Sequence, residues 1–188
     1  MGRLRDRCGA ADELLVDRFL GGDRAAFDTL VRRYQDPVYR FVTWSTDDDD
    51  ADDVAQDVFV EVYRSLATWR RRSTFRTWLY GVARNVCRRH VRRCAARGHV
   101  HGEFDVDDLP GASNPAVRVA ESDANALLLA AIARLPADQR VTLMLRAWEG
   151  LPYDEIAAAT NVPLGTVRSR LHSARRTLAA AIAEVDAE

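Results

Sequence analysis

A break at residues 161–163 constrains the fold of this chain more than any other feature of its sequence. Within residues 150–178, Pro152 suits the first position of a helix. Asn161 can adopt the left-handed conformation that ends a helix, and Pro163 prevents that helix from continuing. The pattern predicts two short helices joined by a tight turn.

The second of these helices is apolar on one side and basic on the other. At about 100° per residue, one stripe contains Val167, Leu171, Ala174 and Leu178, so this side must pack against its own domain. The start of a helix attracts phosphate, and outward Arg, Ser and His side chains can reach base edges in a major groove. The alternative is an ordinary solvated Arg-rich helix. We predict a DNA-binding helix whose contacts are Gly165, Thr166, Arg168, Ser169, Arg170, His172, Ser173, Arg175 and Arg176.

Helical spacing of apolar residues dominates the chain and strand alternation is nearly absent, which predicts an all-α fold. Residues 1–10 are expected to be disordered. Residues 99–122 lack periodicity, are acidic and contain Pro and Gly, so we predict a flexible linker. Two small helical domains would lie on either side of it. One helix is expected at about 12–20, and a second starts from Asp23 and bends or restarts at Pro37. Further helices are expected at about 51–67, 74–95, 123–134 and 136–150, followed by the helix-turn-helix pair.

Charge is divided along the chain, although the formal net charge is only −1. No Asp or Glu occurs from Val62 to Gly102, whereas residues 47–53 are almost all Asp. Alternating acidic and basic blocks indicate partners of both signs.

Targeting signals and metal sites find little support in the sequence. No run of about 18 apolar residues or signal-peptide core occurs, so we expect a soluble, cytoplasmic protein without membrane insertion. The three cysteines do not form a disulfide framework. Cys87, His90 and Cys94 share one flank of a helix, but one helix cannot easily close a tetrahedron. Packing is therefore favoured for them, and no metal or cofactor is predicted.

The helix predicted at about 51–67 has an acidic outer face. Val54, Ala55, Val58, Val62 and Leu66 point inward, which leaves Val60 among polar residues. A lone exposed Val usually has no role. In an acidic face it also fits a docking site for a basic partner helix, so both interpretations stay open for Asp53, Gln56, Asp57 and Val60.

The next helix and the loop before it combine aromatic and Arg side chains. We predict that Tyr80, Arg84 and Arg88 point away from the core, with Asn85 beside them. This composition suits single-stranded nucleic acid, because bases stack on rings and phosphates meet guanidinium groups. Trp78 is expected to belong to the core, whereas core and nucleic-acid roles are nearly balanced for Trp69.

The chain resembles the extracytoplasmic-function group of bacterial RNA polymerase sigma factors. The resemblance rests on DRFLGGDRAAFDTLVRRYQDPVYRF, ADDVAQDVFVEVYRSL, STFRTWLYGVARN, LPADQR and EGLPYDEIAAATNVPLGTVRSRLHSARRTL, which occur in the family's order. It implies a non-catalytic initiation factor with a region 2 domain at 11–98 and a region 4 domain at 123–184. Such a factor binds core RNA polymerase, recognises and melts promoters, and is often held by an anti-sigma factor.

Residue roles also follow from this resemblance. The β′ clamp helices of polymerase would meet Asp53, Gln56, Asp57 and Val60, and the β flap would be a second contact. The helix from Leu164 would read the minus-thirty-five element through the nine residues named above. The minus-ten element would be held, with a base flipped into a pocket, by Trp69, Arg71, Arg72, Arg76, Tyr80, Arg84, Asn85 and Arg88.

Three positions depart from the family pattern. Pro152 replaces a common Ser or Thr cap, which weakens that helix start by about 1 kcal/mol. Ser173 replaces a common Arg, which predicts an altered minus-thirty-five preference. Gly81 replaces a frequent basic residue.

Two other functions fit parts of the sequence. A free-standing helix-turn-helix regulator would need no acidic face at Asp53 to Asp57. A nuclease using residues 47–53 as metal ligands would need a matched base, and consecutive carboxylates point in different directions. We therefore expect no enzymatic activity.

Overall fold

The computed structural model describes the backbone of residues 2–46, 50–96 and 123–185, and these residues form helices without strands. The all-α prediction is confirmed. The predicted linker at 99–122 lies outside the described residues. The helices are α1 (Gly2–Leu20), α2 (Arg24–Ser45), α3 (Ala51–Ser65), α4 (Phe75–Ala96), α5 (Asp123–Ala133), α6 (Ala137–Ala147), α7 (Tyr153–Thr160) and α8 (Leu164–Val185), with a 3₁₀ turn at Leu66–Thr68.

The first two helices differ from the sequence predictions. Residues 1–10 are expected to be disordered, but α1 begins at Gly2. No proline interrupts residues 2–20, and most of them are good helix formers, so the helix continues toward the N-terminus. Helix α2 is continuous through Pro37 and does not restart there. Burial of Tyr34 and Val38 on either side keeps this helix against the core.

Asp23 caps α2 as the sequence predicts. Its carboxylate accepts a hydrogen bond from the Ala25 N–H at 3.1 Å and pairs with Arg18 at 2.7 Å. The hydrogen bond from Arg18 lowers the pKa of the Asp23 carboxyl. This cap satisfies one free donor at the start of α2 and fixes the turn after α1.

Helices α1–α4 form one bundle and α5–α8 a second, and the two pack against each other. Helix α4 lies on α7, and α2 lies on α6. Buried apolar side chains continue from Leu79 in the first bundle to Ile156 in the second without a gap. The sequence predicts two domains joined by a linker, and it does not predict this direct contact.

A buried carboxylate joins α1 to α2. Asp12 is 1% exposed and accepts a hydrogen bond from the Tyr34 hydroxyl at 2.5 Å, and Arg33 forms an ion pair with it. Burial and the Asp12 carboxylate raise the pKa of Tyr34. Because each polar group here depends on the others, the network orients α1 on the bundle.

Replacing Asp12 by Ala should therefore destabilise the protein. The change leaves the Tyr34 hydroxyl buried without its acceptor, so we expect the free energy of unfolding to fall by about 1–3 kcal/mol. Urea denaturation followed by circular dichroism would measure the loss. Asp28→Ala, on an exposed position of α2, is the control, and equal stability of the two variants would contradict the role of Asp12.

Candidate nucleic-acid interface

The turn between α7 and α8 has the geometry that its sequence predicts. Asn161 adopts the left-handed conformation, with φ 51° and ψ 49°. Its N–H donates to the Ala158 carbonyl at 3.3 Å, and the Val162 N–H donates to the Ala157 carbonyl at 3.1 Å. Pro152 precedes the first helical residue and offers no side-chain cap. The chain therefore reverses sharply, and α8 begins at Leu164.

Helix α8 buries three residues of the predicted apolar stripe, leaves Leu178 half-buried against the core, and exposes most of the predicted contact residues. Val167, Leu171 and Ala174 are at most 1% exposed. Arg170 is an exception on the other side, because it is half-buried and pairs with Asp138 at 2.5 Å. Thr166 is also half-buried. The exposed members are Gly165, Arg168, Ser169, His172, Ser173, Arg175 and Arg176.

The acidic face of α3 is exposed as predicted. Asp53, Gln56 and Asp57 face outward, and Val60 is 44% exposed. Asp57 lies 3.8 Å from the guanidinium of Arg93, and both side chains remain largely accessible. These four predicted residues therefore form one surface, hereafter the α3 acidic face.

An aromatic groove borders the α3 acidic face. It has a volume of about 400 Å³ and includes Phe27, Phe59, Val60 and Tyr63. The rings of Phe27 and Tyr63 meet edge to face at 5.2 Å. The periodicity of α3 does not predict this groove, because Phe27 comes from α2.

The loop before α4 is held from two sides. Trp69 packs its ring at 5.9 Å from Phe75 and 6.2 Å from Trp78, and its indole Nε1 is buried without a hydrogen-bond partner. Arg71 has φ 54°, lies over the Trp69 ring at 5.6 Å and pairs with Asp17 of α1. Both tryptophans pack on the core while remaining partly accessible.

The sequence predicts that Tyr80 points away from the core, and this prediction is wrong. It is fully buried: its ring lies 5.3 Å from that of Phe41 on α2, and Glu149 of the second bundle lies beside it. Burial and the neighbouring Glu149 carboxylate raise the pKa of its hydroxyl.

Two of the predicted α4 arginines also face the second bundle. Arg76 donates to both the backbone carbonyl and the side-chain carboxylate of Glu149 at 2.6 Å. Burial alone would lower the pKa of Arg76, but the hydrogen bond to Glu149 and the charges of its neighbours together raise it. Arg84 is 12% exposed and lies 3.9 Å from Asp138. Burial lowers the pKa of Arg84. Four predicted residues remain exposed, namely Arg71, Arg72, Asn85 and Arg88.

The cysteine and histidine residues of α4 belong to its packing. Cys87 is buried, and burial raises the pKa of its thiol to about 12. Cys94 Sγ lies 3.4 Å from His90 Nε2. Among residues 11–46, 50–96 and 128–183, no three His, Cys, Asp or Glu side chains are grouped as they would be around a metal ion.

Known sigma factors match the chain in both halves. The Sigma-70 region 2 model matches residues 30–97, and the Sigma-70 region 4 model matches residues 125–178. The ECF RNA polymerase sigma-E factor of Escherichia coli (strain K12) is 36% identical over 178 residues, covering 89% of this chain and 92% of that protein. The chain belongs to the extracytoplasmic-function sigma factors. It is a transcription-initiation factor of bacterial RNA polymerase, as its resemblance implies.

Further relatives agree with this assignment. The RNA polymerase sigma-H factor of Pseudomonas aeruginosa is 36% identical over 89% of this chain and 91% of its own length. CnrH, solved with the cytosolic domain of CnrY, gives a TM-score of 0.66 at 25% identity over 95% of this chain and 99% of its own. The sigma factor RpoE with the anti-sigma factor NepR from Bartonella quintana shares the fold, with a TM-score of 0.68 at 24% identity over 83% and 96% of the two chains.

The left-handed conformation of Asn161 leads to a prediction for the stability of the second bundle. Asn161→Val places a β-branched residue at positive φ, so we expect a loss of about 1–2 kcal/mol in unfolding free energy. Asn161→Gly is the matched control and should retain stability, since glycine adopts this conformation readily. Thermal unfolding would compare them, and equal melting temperatures would contradict the importance of the turn.

Proposed function

We propose that the two bundles are the region 2 and region 4 domains, at 11–98 and 123–184, of a sigma factor that works without catalysis. One observation supports this assignment most strongly: the acidic α3 face and the basic α8 face are both exposed, on separate bundles. A protein with surfaces of opposite sign can bind a basic protein partner and DNA together.

The α3 acidic face is the proposed docking site for the β′ clamp helices. Asp53 and Asp57 lie on the same exposed face of α3 as the apolar Val60, and the aromatic groove continues from Val60. Acidic side chains would orient a basic helix, while Val60 and the groove would bury its apolar side chains. Region 4 is proposed to meet the β flap.

Reversing charge on this face should abolish polymerase binding. We expect Asp53→Arg with Asp57→Arg to lose affinity for core RNA polymerase by at least about tenfold, because like charges would meet in the interface. The control is Asp28→Arg with Asp36→Arg, which makes the same charge change on α2. Gel filtration with core enzyme would measure the complex. Unchanged binding would favour the free-standing helix-turn-helix regulator instead.

The α8 surface is the proposed reader of the minus-thirty-five element. Gly165 has open space around it, so a phosphate can approach the backbone at the start of the helix. Arg168 and Arg176 are exposed along the same helix, where their guanidinium groups can reach guanine edges. Ser173, where the family commonly has Arg, is exposed on this surface too, which supports a distinctive sequence preference.

Truncating Arg168 or Arg176 should weaken and broaden recognition of this element. Arg168→Ala or Arg176→Ala is expected to lose about 1–3 kcal/mol of binding free energy on the preferred sequence and less on altered sequences. Arg134→Ala, exposed outside α8, is the control. Competition binding at fixed salt would measure the difference, and an equal loss on every sequence would show that these side chains touch phosphate alone.

Promoter-dependent transcription with bacterial core polymerase tests the whole assignment. Core enzyme with this protein should start transcripts at promoters selected from a random library, and no transcript from any promoter would overturn the assignment.

Two more proposals concern the partner and the location of the protein. RpoE of Bartonella quintana was solved with an anti-sigma factor, so we propose an anti-sigma partner here. No described helix is long and apolar enough to cross a membrane, and we propose that the protein works beside polymerase in the cytoplasm.

A further inference from the structure

The loop before α4, residues 69–74 and hereafter the Trp69 loop, is fixed by hydrogen bonds only at its two ends. The Trp69 N–H donates to the Leu66 carbonyl at 3.1 Å, and the Thr74 hydroxyl accepts a hydrogen bond from an N–H of α4 at 3.2 Å. Within the described part of the chain, residues 70–73 form no backbone hydrogen bond. The conformation between the two ends therefore depends on side-chain contacts.

Arg71, in the middle of this loop, adopts the left-handed conformation. Its φ is 54°, a value that is uncommon for residues other than glycine because the Cβ atom comes close to the following carbonyl oxygen. Two side-chain contacts oppose this cost. The guanidinium lies 5.6 Å from the centre of the Trp69 ring, and it forms an ion pair with the carboxylate of Asp17. Each contact is weak on an exposed surface, so the loss of either one should loosen the loop.

Asp17 offers a fixed point outside the loop. It lies on α1, 54 positions before Arg71 in the chain. Its neighbour Val16 is fully buried, and Asp12 accepts a hydrogen bond from the Tyr34 hydroxyl, so α1 is anchored to the bundle. The ion pair therefore ties the Trp69 loop to a helix that cannot move with it.

The charge of the loop gives this carboxylate an unusual place. Residues 70–72 are three consecutive arginines, and no Asp or Glu occurs within residues 62–102. Asp17 pairs with the central arginine, and all three arginines remain exposed. A carboxylate beside a surface that binds phosphate should lower its affinity for DNA. The effect of removing Asp17 therefore distinguishes positioning of the loop from simple charge, since the two predict opposite signs.

We propose that Asp17 is a positioning residue for recognition of the minus-ten element. Acting through Arg71, it holds the Trp69 loop in one conformation and thereby sharpens the preference of the loop for particular unpaired bases. This inference rests on the minus-ten function proposed for the loop. Arg71 then ties the loop to α1 instead of binding a phosphate, and its guanidinium extends the ring surface of Trp69 on which an unpaired base can stack.

Asp17→Asn tests this role in holoenzyme made from the full-length protein and core RNA polymerase. The probe is the single non-template strand of the minus-ten element from a promoter selected with the wild type, together with its single-base variants. We expect binding about threefold to fivefold weaker on the preferred strand and a smaller change on altered strands, because the loop is less often in its binding conformation. Asp28→Asn, on an exposed position of α2, is the control.

Two results would overturn the proposal. One is equal or tighter binding of the preferred strand by Asp17→Asn, since removal of a negative charge strengthens DNA binding when no positioning is lost. The other is an equal loss on every strand, which would leave base preference unchanged. Asp17→Glu keeps the charge and should keep most of the preference. Melting temperatures should stay near that of the wild type, because the ion pair is exposed.

A double-mutant cycle tests whether Asp17 acts through Arg71. Arg71→Gly removes the side-chain tie while leaving a residue that adopts positive φ readily. We expect it to lose base preference as Asp17→Asn does, and the double variant to lose no more than either single variant, because the two side chains act as one unit. Losses that add in the double variant would show that Asp17 acts by another route, against the proposal.

The wild-type holoenzyme separates this inference from the proposed function. If the wild type discriminates between bases on the selected strand and Asp17→Asn discriminates equally well, the role of Asp17 is overturned while the minus-ten function stands. If the wild type itself binds all strands equally, the minus-ten function proposed for the loop fails.

Discussion

The packing of α7 between α4 and α8 is the contact on which the arrangement of the molecule depends. Helix α7 has eight residues, too few for a stable helix in isolation, so its structure relies on burial of Ile156 and Ala159. The same helix leads through Asn161 into α8 and therefore orients the basic surface. Because α7 also contacts α4, one short element connects the two helices that we propose bind DNA.

The contact between the bundles differs chemically from the core of either bundle. Each bundle is stabilised by apolar side chains such as Val58 and Leu171, whereas the contact adds the ion pair of Arg76 and Glu149 and the buried Arg140. The Arg140 guanidinium donates to the Trp44 carbonyl at 2.7 Å across the two bundles. A partly polar interface of this kind resembles those between domains of one chain that move relative to each other, because its groups can exchange partners with water.

Local patterns in the sequence predicted the parts of the site that depend on one helix at a time. The exposed α3 acidic face, the buried stripe of α8 and the turn at Asn161 follow from helical periodicity and backbone preference, which neighbouring residues determine. Helical spacing failed for Tyr80, since the residues that bury it come from α2 and from the second bundle. It also gave no role to Asp12, whose partners lie on the next helix.

The sequence by itself determined the family, the all-α fold and the two surfaces of opposite charge. These properties follow from the order of the motifs and from the spacing of apolar and charged residues along the chain. The tertiary structure alone decided which predicted DNA-binding residues are accessible, because Arg76, Tyr80 and Arg84 meet partners more than 50 positions away in the chain. Such contacts depend on how whole helices pack, and the local sequence pattern of α4 does not predict that the second bundle packs against it.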